Sequence, residues 1–338
     1  MCLCGKNMIE RTNTVQTILN PAWYQGRGRR SPYFEGWYFK LVDRTEKHRY
    51  AIIPAVFLTE GDEGPHAFIQ VFDGVNGRMT YIPYALSDFW AAEDRFEIHV
   101  GPNLFTTTAM RLDIRHPDLT LQGEVTFLDP RPWPVTLFSP GIMGWYAWIP
   151  LMECYHGVLS LDHALAGGFT LNGTAVDFSG GRGYIEKDWG QSFPSGWVWM
   201  QTNHFDAPGA SLTGSIAMIP WIGRAFRGFI VGLWHNETLY RFATYTGAKT
   251  ESLHVGDDVV AWRLTDRLYT LTITAHRRDA VDLRGPSKVD MGVRVPETLT
   301  AEIDVRLATR RGDKTIFASR GHNAGLEVAG DLKILVES

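Results

Sequence analysis

From residue 33 onward the chain is a succession of short alternating or wholly apolar runs, each ended by Gly, Pro, Asn or Asp, with no convincing amphipathic stretch of helical period. Successive side chains of a strand point to opposite faces, so runs of this kind build sheets rather than helix bundles. Strands are predicted over 33–42, 50–58, 66–72, 95–100, 106–114, 119–127 and 158–161, then over 170–178, 196–204, 210–218, 229–235, 238–246, 259–263, 269–276 and 298–308. The fold class is therefore all-β. About fifteen strands overfill one small barrel, so two consecutive antiparallel β-barrels or sandwiches are expected. A length of 338 residues suits two such units, although no internal repeat is evident. Between them lies LDPRPWPVTLFSPGIMGWYAWIPL, residues 128–151. It is too proline-broken for a central strand and too apolar for a disordered linker. It reads as an ordered crossover that covers a cavity mouth or packs the two units together. The expected division is a flexible segment 1–20, a first barrel 21–180 that includes the crossover, and a second barrel 181–338.

Composition removes several function classes. The formal charge is −4 and the arginine-rich patch at 26–30 is short, so nucleic acid is not an expected partner. The start, MCLCGKNMIERTNT, has no apolar signal core and no later window is long enough to cross a bilayer, which predicts a cytoplasmic protein. Cys2, Cys4 and Cys154 are too few and too oddly placed for a disulfide framework, and Cys154 reads as a small buried hydrophobe. Gly26-Arg27-Gly28 and Gly181-Arg182-Gly183 lack the third glycine of a dinucleotide loop. Signatures of P-loops, zinc proteases, EF-hands and esterases do not occur. No cofactor and no metal are expected.

The chemistry concentrates in GRGYIEKDWGQSFPSGWVWMQTNHF, residues 181–205. Glu186 and Asp188 share one strand face, and Trp197, Trp199, Gln201 and Asn203 share another. Two adjacent strands can thus present an acidic pair and an aromatic, amide-tipped wall to one space. If exposed, the acids are a solvated face with Lys187 on the opposite side. If buried among Tyr184, Trp189, Phe193 and Trp197, desolvation and mutual repulsion keep one carboxyl protonated near neutrality. The aromatic neighbours favour burial. In Glu153-Cys154-Tyr155-His156 the alternation is poor for a chelate; His156 is either a catalytic or substrate-orienting residue or a satisfied core histidine. Tyr33, Glu35, Trp37 and Phe39 share a strand face, which sets one acid among aromatics or, alternatively, makes Glu35 a structural ion-pair partner of an arginine.

Five dispersed segments together resemble the tocopherol cyclase family: YFEGWYFKL (33–41), MECYHGVLSLDH (152–163), the 181–205 stretch, LRGPSKVDMGVRVPETL (283–299) and HNAGLEVAGDL (322–332). The resemblance implies a fold of two consecutive lipocalin-like antiparallel β-barrels, akin to carotenoid hydratase-like and lipocalin-like pericyclase proteins. It implies cofactor-independent chemistry on a hydrophobic small molecule, in which an acid protonates a prenyl alkene, a phenol oxygen captures the tertiary cation and a base removes the phenolic proton.

On this reading Glu186 or Asp188 is the acid, with Glu35 or His156 as its complement or the base. Trp37, Trp197 and Trp199 shield the cation, Gln201 and Asn203 orient a polar head, and Tyr184, Trp189 and Glu153 complete the substrate wall. The alternative is a lipocalin-like carrier of a lipid, terpenoid or quinone that it does not transform. Exposure of Trp133, Trp145 and Trp148 in the crossover would favour peripheral membrane contact. The oligomeric state is not legible.

Overall fold

A computed structural model describes residues 15–150, 152–207, 209–221 and 224–337. The first unit contains β1 (Tyr33–Val42), β2 (Arg49–Leu58), β3 (His66–Asp73), β4 (Arg78–Ala85), β5 (Phe89–Ala91), β6 (Glu97–Val100), β7 (Asn103–Thr106), β8 (Ala109–His116) and β9 (Leu119–Leu128). The crossover follows with the two-residue pair β10 (Val135–Thr136) and β11 (Ser139–Pro140), and then come β12 (Cys154–Leu171), β13 (Thr174–Asp177) and β14 (Arg182–Gly190). The second unit contains β15 (Gly196–Thr202), β16 (His204–Phe205), β17 (Ser211–Trp221), β18 (Arg224–His235), β19 (Thr238–Ala243) and β20 (Lys249–Val255). It ends with β21 (Val259–Thr265), β22 (Tyr269–His276), β23 (Val281–Gly285), β24 (Val293–Thr309) and β25 (Thr315–Gly330).

The two sheets repeat one plan. Each is an antiparallel meander whose first strand pairs with its last, β1 with β14 and β15 with β25. In each, the strands at the two ends of the hydrogen-bonded path, β4 and β5 or β19 and β20, are consecutive in the chain and joined by one short 3-10 turn, Leu86–Asp88 or Thr244–Thr246. Each sheet therefore curls until its edges adjoin, giving two consecutive lipocalin-like barrels without long free edges. The duplication that the sequence hides is plain in the topology.

Several expectations need correction. β14 hydrogen-bonds between β1 and β12, so the division between sheets falls after Gly190 and not at 180/181. The predicted strand 106–114 is two strands, broken where the Thr106 hydroxyl accepts the Ala109 amide. The predicted strand 170–178 spans a hairpin that turns on Asn172 and Gly173, both at positive φ (46° and 84°), an Asn-Gly turn signal that outweighs the flanking β propensity. β4 and β20 were missed because they end their sheets' strand order and lack a clean apolar alternation, β4 being only partly buried and β20 mostly exposed, and β25 because its glycines mask its length. Of the segment 1–20, residues 1–14 lie outside the described residues. Residues 15–19 are helical, and Gln25 ties that turn down through Nε2 bonds to the Asn20 and Thr17 carbonyls, both 3.2 Å.

The strands differ in burial according to what they separate. β9 alternates buried and exposed along its length, one face in the barrel and one in water. β1, β14 and β15 are buried on both faces. One face of each enters its own barrel core, with Trp37, Phe39, Leu41 and Ile185 in the first and Val198 and Met200 in the second. The other enters a third core between the barrels, with Tyr38, Tyr184, Trp197 and Trp199. The motif-bearing strands thus lie at the junction of the two barrels, where any polar side chain leaves water.

The crossover packs the barrels together. Trp133 is 1% exposed within the inter-barrel core, and a Cβ at Gly232 would stand 2.3 Å from its ring. Gly232→Ala is therefore expected to destabilise the protein by about 1–3 kcal/mol through overpacking. A urea midpoint unchanged by the substitution would show that Trp133 is not locked there. Farther along, Phe138 and Trp145 are 82% and 47% exposed, whereas Trp148 is partly buried and donates its indole N–H to the Leu137 carbonyl at 2.9 Å. Among the described residues no helix is long and apolar enough to cross a membrane.

Candidate active site

Register builds two facing rows of side chains between the barrels. On the first sheet Tyr38 of β1 stands opposite Glu186 of β14, and two residues away Gly36 stands opposite Asp188, which in turn faces His156 of β12. On the second sheet Glu297 of β24 stands opposite Glu327 of β25, which faces Trp199 of β15. Cross-strand partners on one face lie within side-chain reach, so each row is continuous. The rows then bond across the gap: the Tyr38 hydroxyl donates to Glu297 Oε1, and Trp199 Nε1 donates to Glu186 Oε2 at 3.1 Å.

Glu186 sits at the centre. Its Oε2 also accepts from the Tyr184 hydroxyl at 2.5 Å, and His156 Nε2 lies 3.5 Å away. His156 Nδ1 is 2.8 Å from Asp188 Oδ1, so the imidazole bridges the two acids that the sequence paired. Burial of Glu186 pushes its carboxyl up to about 7, with the nearby imidazolium pulling the other way. Burial alone would drive His156 down, but Asp188 and Glu186 outweigh it and hold the imidazole up at about 9. At neutral pH, then, His156 is an imidazolium paired with Asp188. Because Oε2 takes all of Glu186's hydrogen bonds, the proton of its neutral form falls to Oε1.

Two further carboxyls complete the cluster. Burial raises Glu297 to about 8, and burial followed by repulsion from Glu297 raises Glu327. Trp197 Nε1 donates to Glu327 Oε2 at 2.6 Å. Burial brings Lys40 down to about 7, and its Nζ donates to Gln201 Oε1 at 2.7 Å. Neither Glu297 nor Glu327 was singled out from sequence. The signal for them was a lone acid inside an apolar strand, in VPETL and GLEVAG, within segments already carrying the family resemblance.

A cavity of about 130 Å³ opens onto this cluster, with Glu186, Asp188, His156 and Glu327 on one side. Trp197, Trp199, Phe193, Phe229 and Met143 are among its apolar walls. Cys154 lines it and is only partly buried, which corrects the expectation of a core cysteine. His156, Glu186 and Asp188 offer one donor atom each within 4.8 Å of one another, and are the one group of this kind among the described residues. A cation there would compete with the His156–Asp188 hydrogen bond.

The other predicted residues divide. Tyr184 stands behind Glu186, and its hydroxyl oxygen accepts from the Thr213 hydroxyl at 3.0 Å. Glu35, Trp37 and Trp189 lie on the opposite faces of β1 and β14, because odd and even positions of these strands part company there. Glu35 forms a fully buried ion pair with Lys187 at 2.5 Å, so its partner is a lysine and not an arginine. Trp37 stacks on Phe96 in the first barrel core, and Trp189 stacks on Tyr155 with their centroids 5.5 Å apart. Gln201 is engaged by Lys40, and Asn203 donates to Asp162 Oδ1 at 3.0 Å and to the Gly183 carbonyl at 2.9 Å. These amides hold the barrels together and do not line the cavity. Glu153 points toward Lys288 at 3.3 Å, away from the cluster.

A family model described as tocopherol cyclase-like matches residues 133–330, a stretch containing His156, Glu186, Asp188, Glu297 and Glu327. The "Probable tocopherol cyclase, chloroplastic" of Oryza sativa subsp. japonica is 26% identical over 217 residues, 58% of this chain and 44% of the rice protein. The "Tocopherol cyclase, chloroplastic" of Zea mays is 25% identical over 206 residues, 55% of this chain and 41% of the maize protein. The match thus spans less than half of each plant protein. Among solved structures, that of CghA with Sch210972 superposes with a TM-score of 0.55 at 9% identity, covering 88% of this chain and 89% of that one. An AttH-type protein from Nitrosomonas europaea superposes with a TM-score of 0.50 at 14% identity, covering 89% and 93%. At such identities the likeness shows the fold.

Proposed function

We propose, from the premise that the chain belongs to the tocopherol cyclase-like family, that it is an acid–base enzyme closing a ring in a prenylated aromatic lipid held between its barrels. The observation that carries this reading is Glu186, a carboxyl that burial raises to about 7 and that faces an apolar, tryptophan-walled cavity. Protonating an alkene needs an acid undiluted by water, and the cation that results needs π faces rather than nucleophiles around it. Trp197 and Trp199 supply those faces while their N–H groups are fixed on Glu327 and Glu186.

In the reaction the Glu186 proton moves to the alkene carbon that leaves a tertiary cation. The phenol oxygen bonds to that cation, and the phenolic proton goes to a carboxylate of the same cluster, so no proton is gained or lost overall. The Glu186 carboxylate formed in the first step faces the His156 imidazolium at 3.5 Å, which stabilises it. His156 with Asp188 therefore serves as a charge partner to the acid, the complement and not the base of the two roles that the sequence left open.

Turnover of a prenylated hydroquinone in D₂O tests the reading. The expected product is an isomer of the substrate carrying one carbon-bound deuterium and one fewer exchangeable hydrogen, read by mass spectrometry. Recovery of bound lipid unchanged would instead make the protein a carrier. The pH profile has a sign as well. The acid form of Glu186 is lost as pH rises through about 7, so turnover falls on that limb. The His156 charge holds the Glu186 carboxyl down, so His156→Gln should move the limb to higher pH. A limb that moves to lower pH would reject the charge-partner role.

A further inference from the structure

A second, smaller cavity of about 80 Å³ adjoins the first and shares Glu186, Asp188, Phe193 and Glu327 with it. The acid cluster is thus a septum between two chambers. The smaller chamber lies under β1 and β2, where Phe34 and Tyr38 flank Gly36 on one strand face and Ala55 and Phe68 lie alongside. Gly36 leaves a vacancy: a Cβ built there meets nothing nearer than the Ala55 Cβ at 3.4 Å. The space beside Gly36 is a slot bordered by Phe34, Tyr38 and Phe68, aromatic side chains against which a ring can pack.

One polar atom in that slot is unmatched. Glu297 is fully buried and lines the smaller chamber but not the larger one. Its Oε1 accepts from Tyr38, and its Oε2 has no partner within the protein. Buried polar atoms are seldom left so, because the desolvation cost goes uncompensated. A phenol hydroxyl both donates and accepts, and so satisfies this oxygen in either protonation state of the carboxyl.

We infer that the smaller chamber is the headgroup subsite, in which a hydroxylated aromatic ring lies in the Gly36 slot with its hydroxyl on Glu297 Oε2, while the prenyl tail occupies the larger chamber. The inference rests on the proposed function for the identity of the tail, and it adds the head's location, its hydrogen-bond partner and a position that sets its size. With head and tail on either side of the septum, the bond to be closed lies beside Glu186.

Binding and turnover separate the two claims. Quenching of tryptophan fluorescence is titrated with geranylhydroquinone and with myrcene, a hydrocarbon of the tail's size without the ring. Gly36→Leu fills the slot, and because Gly36 has no left-handed φ the change is tolerated by the backbone. It is expected to weaken geranylhydroquinone binding by about tenfold or more, as loss of ring burial and a hydrogen bond requires, and to leave myrcene binding unchanged. Ala217→Leu, in the larger chamber, should weaken both. Should Gly36→Leu not fold, Ala55→Leu fills the same slot from β2 and reads the same way. Equal weakening of both ligands by the slot-filling variant, or of neither, overturns the subsite. Normal selectivity in binding with no ring closure by the wild type would leave the subsite standing and remove the acid role of Glu186.

Discussion

Glu186→Gln is expected to slow ring closure by about 10²–10⁴-fold, the usual worth of a positioned general acid, while ligand binding measured by tryptophan quenching changes little. The amide keeps the volume of the side chain and can still accept from Tyr184 and Trp199, which hold Oε2 at 2.5 and 3.1 Å. What it loses is the transferable proton. Asp188→Asn acts one step removed, because it weakens the hold on His156 Nδ1 at 2.8 Å and with it the charge that keeps Glu186 acidic enough to let go. Its loss should be smaller. Unchanged turnover in both variants would sink the assignment of this cluster, whatever the protein binds.

The second large effect concerns stability. Glu35 and Lys187 form an ion pair 0% exposed on both sides, and burial raises the Glu35 carboxyl and lowers the Lys187 amine despite their attraction. Removing one partner strands the other without water, so Lys187→Met should cost about 3–5 kcal/mol in urea unfolding. The double variant Glu35→Gln with Lys187→Met should recover most of that loss. An amide in place of the Glu35 carboxylate leaves no buried charge and, with its oxygen at the Oε2 position, still accepts from the Gln25 amide and the Tyr33 hydroxyl. A double variant as unstable as the single one would mean that the pair does more than compensate its own burial. The pair also fastens the chain ahead of β1: Lys187 Nζ donates to the Trp23 carbonyl at 2.7 Å and Glu35 accepts the Gln25 amide at 2.9 Å. Tyr24 is thereby set against Trp37 and Phe89.

Much of this was legible without coordinates. Period-two runs and turn residues specify strands locally, and β1 and β22 begin and end where the pattern says. The pairing of Glu186 with Asp188 on one face, and of Trp197 with Trp199, follows from alternation alone and holds in the structure. Burial of Glu186 was readable from its aromatic neighbours. What misled was the assumption that acids and aromatics of similar composition share one space. Glu35 and Trp37 carry the same signature as Glu186 and Trp199, yet they face the first barrel's core.

The sequence by itself determined the strands, their in–out alternation and the presence of an acid–aromatic face, because these depend on neighbours two residues apart. The tertiary structure alone decided which faces meet. β1, β14 and β15 are sandwiched between cores, so both of their faces look apolar in sequence and nothing local tells one from the other. Glu297 and Glu327 join Glu186 only because β24 and β25 of the second barrel are laid against β1 and β14 of the first, a contact in which Tyr38 meets a carboxylate 259 positions away. The acid pair of residues 181–205 thereby becomes one half of a septum whose other half is contributed by the chain's last strands.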